Sequence, residues 1–356
     1  MNPKPRSWHV YLLGALLGAG GLLVLVSCLN ACYARDALSG EVQRVKTIGF
    51  TVANVDNEVG FYTSVLQFEK VADFRVVGRA YDKMQGVFNA NMRIVHLRLG
   101  EQIVELTEYV SPPTGRQIPV PSYSNDAWFE HIAIVVSDMD AAYKILQDNK
   151  VRQISAHPIT IPTTNPGAAG IKAIKFHDPE HHDLELIYFP PGKGDPVWQR
   201  PTTRVFLGLD HTAMTVNSTE REVPFYRDLL GFQVGGVTLN SGETQEVLDS
   251  LFNDTCLVTE LVPPSRPAHI ELLDYKTPPG GRKMPADTAA NDVWHWQTTL
   301  VTKDITAVTD RLRKAGVQFV TPDVLAIPEE AREQLGFKKA VMVRDPSGHA
   351  IRLVEE

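Results

Sequence analysis

"NDAWFEHIAIVV", residues 125–136, returns 166 positions later as "NDVWHWQTTLVT", residues 291–302. Each copy opens Asn-Asp-x-Trp and runs into a strand-like stretch, but His131 of the first is Gln297 in the second. Other pairs flank this one. "EVGFYTSVLQF" (58–68) recurs as "EVPFYRDLLGF" (222–232), "ELTEYVSPPTGRQIP" (105–119) as "ELLDYKTPPGGRKMP" (271–285), and "FHDPEHHDLEL" (176–186) as "VRDPSGHAIRL" (343–353). Their offsets of 164, 166 and 167 residues barely drift, so the two halves are duplicates with small insertions. The Pro- and Gly-rich stretch "PPGKGDPVWQRPTT" (190–203) reads as the join, giving domains at 43–190 and 204–356 with a linker at 191–203. Each half divides again. In the first, a strand over 46–53 leads to a helix and to strands ending in "EQIVELTEY"; "HIAIVV" then opens a new strand, "DMDAAYKILQDNK" is an amphipathic helix, and "LELIYF" closes. The expected fold is α+β, a βαβββ unit used four times.

A chain of 356 residues with 43% hydrophobic and 22% charged residues has enough apolar material for two packed domains. A net charge of -7 without a clustered Lys/Arg run argues against a nucleic-acid partner. Residues 1–40 differ in kind: Lys4 and Arg6 precede an uncharged run from Val10 to Leu29, suited to one hydrophobic N-terminal helix or to a signal sequence. Leu25-Val26-Ser27-Cys28 resembles a bacterial lipobox. The expectation is a signal peptide, lipoprotein leader or membrane anchor, with the folded part in the cell envelope outside the cytoplasm. Cys28 and Cys32 belong to that segment, which leaves Cys256 alone, read as a small buried side chain.

The motifs His131 with Asp138-Met139 in "HIAIVVSDMD", Phe225-Tyr226 and Leu230-Gly231-Phe232 in "FYRDLLGF", and Asp178-Pro179 with Glu185 in "DPEHHDLEL" together resemble the vicinal oxygen chelate superfamily. That family includes glyoxalase I, bleomycin-resistance proteins, methylmalonyl-CoA epimerase and extradiol dioxygenases. The resemblance covers the chain after its leader and implies two glyoxalase-like curled-sheet modules. It also implies that each unit offers a His or Gln on its opening strand and a Glu on its closing strand, up to four such groups meeting at one ion.

By spacing, the slots are Thr47 and Glu105, His131 and Glu185, His211 and Glu271, and Gln297 and Arg352. If units pair in chain order, both sites are damaged, because Arg352 is a permanent cation without an acceptor. If unit two pairs with three and one with four, His131, Glu185, His211 and Glu271 form a complete set, and the losses collect in the other cavity, where Arg352 can pair with Glu105. Two imidazoles and two carboxylates suit Zn, Ni, Co, Mn or Fe. Glu271 or Glu185 would serve as general base.

The resemblance then implies a metal-dependent lyase, isomerase or epimerase acting on a small oxygenated substrate, as a monomer with an internal pseudo-dimer. The alternatives are a ligand-sequestering protein of the bleomycin-resistance kind and an extradiol-type dioxygenase. His177, His181 and His182 sit in a turn and read as solvated, and Trp128 and Trp294 as packing residues on loops that could also face substrate.

Overall fold

The structure, a computed structural model, describes residues 41–265, 268–279 and 281–356. The expected leader, with Cys28 and Cys32, lies outside those residues. Among the described residues no helix is long and apolar enough to cross a membrane.

Four units follow one another. Unit one runs β1 (Val42–Val52), α1 (Val55–Ser64), β2 (Glu69–Val77), α2 (Arg79–Gln85), β3 (Asn91–Leu99) and β4 (Gln102–Ser111). Unit two runs β5 (Glu130–Val136), α3 (Met139–Asp148), β6 (Ile159–Thr160), β7 (Lys172–His177) and β8 (Asp183–Tyr188). Unit three has β9 (Phe206–Thr215), α4 (Thr219–Pro224), β10 (Gln233–Ser241), α5 (Glu243–Asp249), β11 (Thr255–Val262) and β12 (His269–Thr277). Unit four has β13 (Trp296–Thr302), α6 (Ile305–Lys314), β14 (Gln318–Phe319), β15 (Leu325–Ala326), α7 (Glu329–Leu335), β16 (Lys339–Arg344) and β17 (Ala350–Glu355). The βαβββ plan therefore holds, three units carrying one extra short helix before their last two strands and unit four also one extra two-residue strand, β15.

Three of the helices, α1, α3 and α6, start on side-chain caps. Asn54, Asp138 and Asp304 each accept a hydrogen bond from a first-turn N–H, satisfying donors that the helix cannot. Met139, Ala142 and Leu146 on α3, and Ile305, Val308 and Leu312 on α6, recur at helical spacing and are buried in one continuous core shared by both sheets.

The strands form two sheets, and pairing is crossed. Sheet A joins unit one to unit four in the order β14-β16-β17-β13-β1-β4-β3-β2, with β15 beside β16; sheet B joins unit three to unit two as β10-β11-β12-β9-β5-β8-β7-β6. The seams are the antiparallel pairs β1–β13 and β5–β9. β5 and β13 are buried along their whole length, as central strands covered on both faces must be.

The repeated motifs lock the sheets together. His182 was read as solvated, yet it is fully buried: Nδ1 is 2.8 Å from Asp178 Oδ2, and Nε2 lies 2.9 Å from the Thr51 carbonyl and 3.0 Å from that of Val293. His349 repeats this with Asp345 at 2.8 Å and the Ala127 carbonyl at 3.0 Å. Each histidine thus ties its own turn to backbone of the other sheet's units. The Tyr62 and Tyr226 hydroxyls reach the same two aspartates, which accounts for the paired "FY" and "DP" motifs. The tryptophans are packing residues. Trp128 stacks under Arg282 at 4.5 Å and Trp294 under Arg116 at 4.7 Å, while those arginines bind Asp126 and Asp292.

Burial alone would lower both histidines, but Asp178 and Asp345 outweigh it and raise each to about 9. A raised folded-state value means stability present in full below about pH 6.5 and lost as pH climbs through 9. Each pair then contributes on the order of 3 kcal/mol that disappears across that window. The urea midpoint should fall clearly between pH 6 and pH 9.5; a flat profile would show that the two imidazoles are not held protonated.

Candidate metal centre

Sheet register sets the candidate residues side by side. On the β5–β9 seam His131 lies opposite Ala213 and His211 opposite Ala133; the parallel neighbours bring Glu185 to Ala133 and Glu271 to Ala213. All four side chains therefore emerge on one face around the seam, alternating with two alanines too small to fill the space between them.

Three of them meet closely. Donor atoms of His131, Glu185 and His211 lie within 4.8 Å of one another, and all three residues are buried. Glu185 Oε2 is 3.2 Å from His131 Nε2 and 3.6 Å from His211 Nε2. Two donors about 2.1 Å from a shared ion would be about 3.0–3.5 Å apart, so the spacing fits joint coordination. Neither ring nitrogen of His131 has a hydrogen-bond partner, nor has His211 Nε2. Two of these three face Glu185 without a directed hydrogen bond, and buried polar atoms left so are costly unless something else is bound among them.

Glu271 stands to one side. Its Oε2 is 3.6 Å from His211 Nε2, its Oε1 is 3.6 Å from His269 Nε2, and its side chain is 23% exposed against 8% for Glu185. Burial would raise the Glu185 carboxyl, but His131, His211 and Lys175 hold it far below the carboxylate range. His131 is pushed down by burial. For His211 burial works in the same direction and loses to Glu271, Asp210 and Glu185, which push it well up.

Sequence reasoning missed the groups that aim His211. Asp210 Oδ2 is 3.1 Å from His211 Nδ1, and its Oδ1 accepts a 3.1 Å hydrogen bond from Trp198 Nε1. Trp198 lies in the segment read as a bare linker, where Pro196–Gln199 forms a single 3-10 turn. Gly208 admits its ring: a Cβ there would sit 2.9 Å from the indole. A tryptophan between prolines gave no sign of this, although an aspartate directly before a candidate histidine could have been noted.

In sheet A the same register holds other residues. Gly49 lies opposite Gln297 and beside Glu105, while Thr47 lies opposite Thr299, itself beside Arg352. Arg352 Nη2 is 3.0 Å from Glu105, Gln297 Nε2 donates to Glu105 Oε1 at 2.9 Å, and His96 Nε2 is 3.2 Å from Oε2. An internal guanidinium fills the place of a cation. Side chains from α2 and α7, among them Tyr81, Met84 and Leu335, belong to a second core, whose Phe337 ring lies 5.4 Å from the Arg352 guanidinium. His177 and His181 take no part in either centre; His177 pairs with Asp183 at 3.1 Å.

Two curled sheets of paired βαβββ units with a His-rich seam define a class. The sequence pattern of the Glyoxalase/Bleomycin resistance protein/Dioxygenase superfamily matches residues 44–186 and again 208–353, and the chain belongs to that superfamily. Among solved structures it is similar to glyoxalase I from Zea mays, with TM-score 0.57 and 18% identity over 88% of this chain and 93% of that one. It is also similar to a putative dioxygenase from Bacillus subtilis subsp. subtilis str. 168, with TM-score 0.54 and 15% identity over 89% and 86%. At those identities the likeness is one of fold. No curated protein matches the sequence significantly.

Proposed function

We propose that the protein is a divalent-metal-dependent enzyme that moves a proton next to a carbonyl in a small oxygenated substrate, as a lyase, isomerase or epimerase does. The observation that supports this most is the pair of buried imidazoles converging on Glu185, with three ring nitrogens that make no hydrogen bond. His131, His211 and Glu185 would hold the ion, with Glu271 as a fourth and more loosely placed carboxylate. Zn, Ni, Co, Mn or Fe suits this set, which has no thiolate. A bound ion supplies Lewis acidity toward a substrate oxygen.

Glu271 is the better placed base of the two carboxylates, because it is the more exposed and lies outside the tight triad. It would take the proton at a carboxylate oxygen, with His269 3.6 Å behind it. Glu185, pinned between two imidazoles, has no such freedom. One observation favours a second reading: the compact set is two histidines and one carboxylate, the ligand type of non-haem Fe(II) oxygenases, and Glu271 stands off from it. The charged flank and apolar run of residues 4–29 support placing this chemistry in the cell envelope.

The test is solvent exchange. The metal-loaded full chain in D2O should wash deuterium into hydroxyacetone or pyruvate at carbon beside the carbonyl, followed by NMR. Glu271→Gln should keep its ion and lose about 100-fold or more of that rate. A chain that takes up no ion yet binds a small apolar ligand would replace the enzyme reading with sequestration, and ion-dependent consumption of O2 when catechol is supplied would replace it with ring cleavage.

A further inference from the structure

Lys175 is 3% exposed, on β7, directly across from Glu185 on β8, so the two side chains share the face that carries the candidate centre. A buried ammonium requires a counter-charge. Lys175 finds it in Asp249, the last residue of α5, at 2.5 Å. The same carboxylate accepts hydrogen bonds from the Tyr275 hydroxyl at 2.8 Å and from Gln245 Nε2 at 2.7 Å. Two of these three donors, Lys175 and Tyr275, come from the sheet. Asp249 and Gln245 come from the short helix laid over it.

The sheet thus presents an ammonium and a phenol aimed at one point, which is a carboxylate receptor, and α5 supplies the carboxylate. The contrast with sheet A is informative. There the helices α2 and α7 send apolar side chains into one continuous core. Over sheet B the covering helix sends one leucine, Leu248, against Ile159 and Ala173, and beside it a charge. The helix is anchored at its end, where the Ser124 and Ser155 hydroxyls donate to the Asp249 and Leu248 carbonyls at 2.9 and 2.6 Å, while β10, which leads into it, is exposed along most of its length. Nearby Asp254 is pushed up to about 8 by burial and by the Asp249 charge, so two carboxyl groups crowd one ammonium.

The receptor and the candidate centre adjoin. Lys175 Nζ lies 5.1 Å over the Phe129 ring, and Phe129 stands edge-on to His131 at 5.7 Å between centroids. An aromatic floor therefore runs from the ammonium to the imidazoles.

We propose that Lys175 and Tyr275 bind the carboxylate of the substrate, and that the Asp249 side chain is an internal stand-in which the substrate carboxylate displaces. The substrate class is then a small carboxylic acid bearing an oxo or hydroxy oxygen at the end directed to His131 and His211. The second half of that statement rests on the metal-centre reading; the carboxylate seat does not.

The experiment separates the two. Acetate binding to the chelator-treated full chain is measured by calorimetry, with hydroxyacetone as the neutral control. Asp249→Asn, which keeps the shape and removes the competing charge, should bind acetate at least about tenfold more tightly than the parent, because an intramolecular competitor acts at millimolar effective concentration or above. Lys175→Met should abolish acetate binding in both backgrounds, and hydroxyacetone should not respond to either change. Tyr275→Phe, which leaves the ion pair intact, should weaken acetate binding severalfold and serves if Asp249→Asn does not fold. Unchanged acetate affinity in Asp249→Asn, or undiminished affinity in Lys175→Met or Tyr275→Phe, overturns the proposal. Lys175-dependent acetate binding in a chain that never takes up an ion would leave this seat standing and remove the metal centre.

Discussion

Changing His131 and His211 together to alanine is expected to take the full chain from about one tightly held divalent ion to none, read by elemental analysis after dialysis. The two imidazoles supply the nitrogen donors of the triad, and Glu185 with the more loosely placed Glu271 cannot retain an ion against water. The ion should also stabilise the parent protein by about 4 kcal/mol at a thousandfold excess over its dissociation constant, and the double variant should show no such shift. The variant deletes three buried nitrogens that make no hydrogen bond, but also the His211 Nδ1 bond to Asp210 and the two imidazoles facing Glu185, so the ion-free fold should lose stability, and a circular-dichroism spectrum matching the parent's must accompany the ion count. Weaker effects should grade outward: Asp210→Asn or Trp198→Phe, which release His211 from its orienting bonds, should each lower ion affinity about 10- to 100-fold. His177→Ala and His181→Ala, in the stretch densest in histidine, should change nothing. Retention of the ion in the double variant would move the centre elsewhere.

The duplication was legible because sheet folds repeat their constraints in sequence. A tyrosine that must reach an aspartate, an arginine that must clasp the Asp of Asn-Asp-x-Trp, and a histidine that must close a turn recur at fixed offsets. The crossed pairing was only half legible. It followed from asking which combination leaves one intact ligand set, since strand register cannot be read from strands apolar on both faces. The solvated reading of His182 failed for a physical reason: a turn residue is ordinarily exposed, but this turn is sandwiched against backbone of the other sheet, and carbonyl acceptors there carry no sequence signature. Trp198, His269 and Lys175 were invisible for the same reason, each acting through neighbours that only the folded sheet supplies.

The second large effect lies in the cavity that holds no candidate ion. Arg352 and Glu105 are each 1% exposed, and burial would raise Glu105 were it not for Arg352 and His96, which hold it far below the usual range. Arg352→Met leaves that carboxylate in the sheet with no full countercharge and should cost about 3–5 kcal/mol in urea unfolding. Arg352→Met combined with Glu105→Leu should recover most of the loss, because the desolvation of both ions disappears along with their attraction. Either folded variant should keep its ion, since Arg352 belongs to sheet A and the triad to sheet B. Additive losses in the double variant would mean that the two side chains are not a pair. A fall in ion content with Arg352→Met would place the ion beside Glu105, and the division into one metal centre and one cavity filled by a guanidinium would fail on that result.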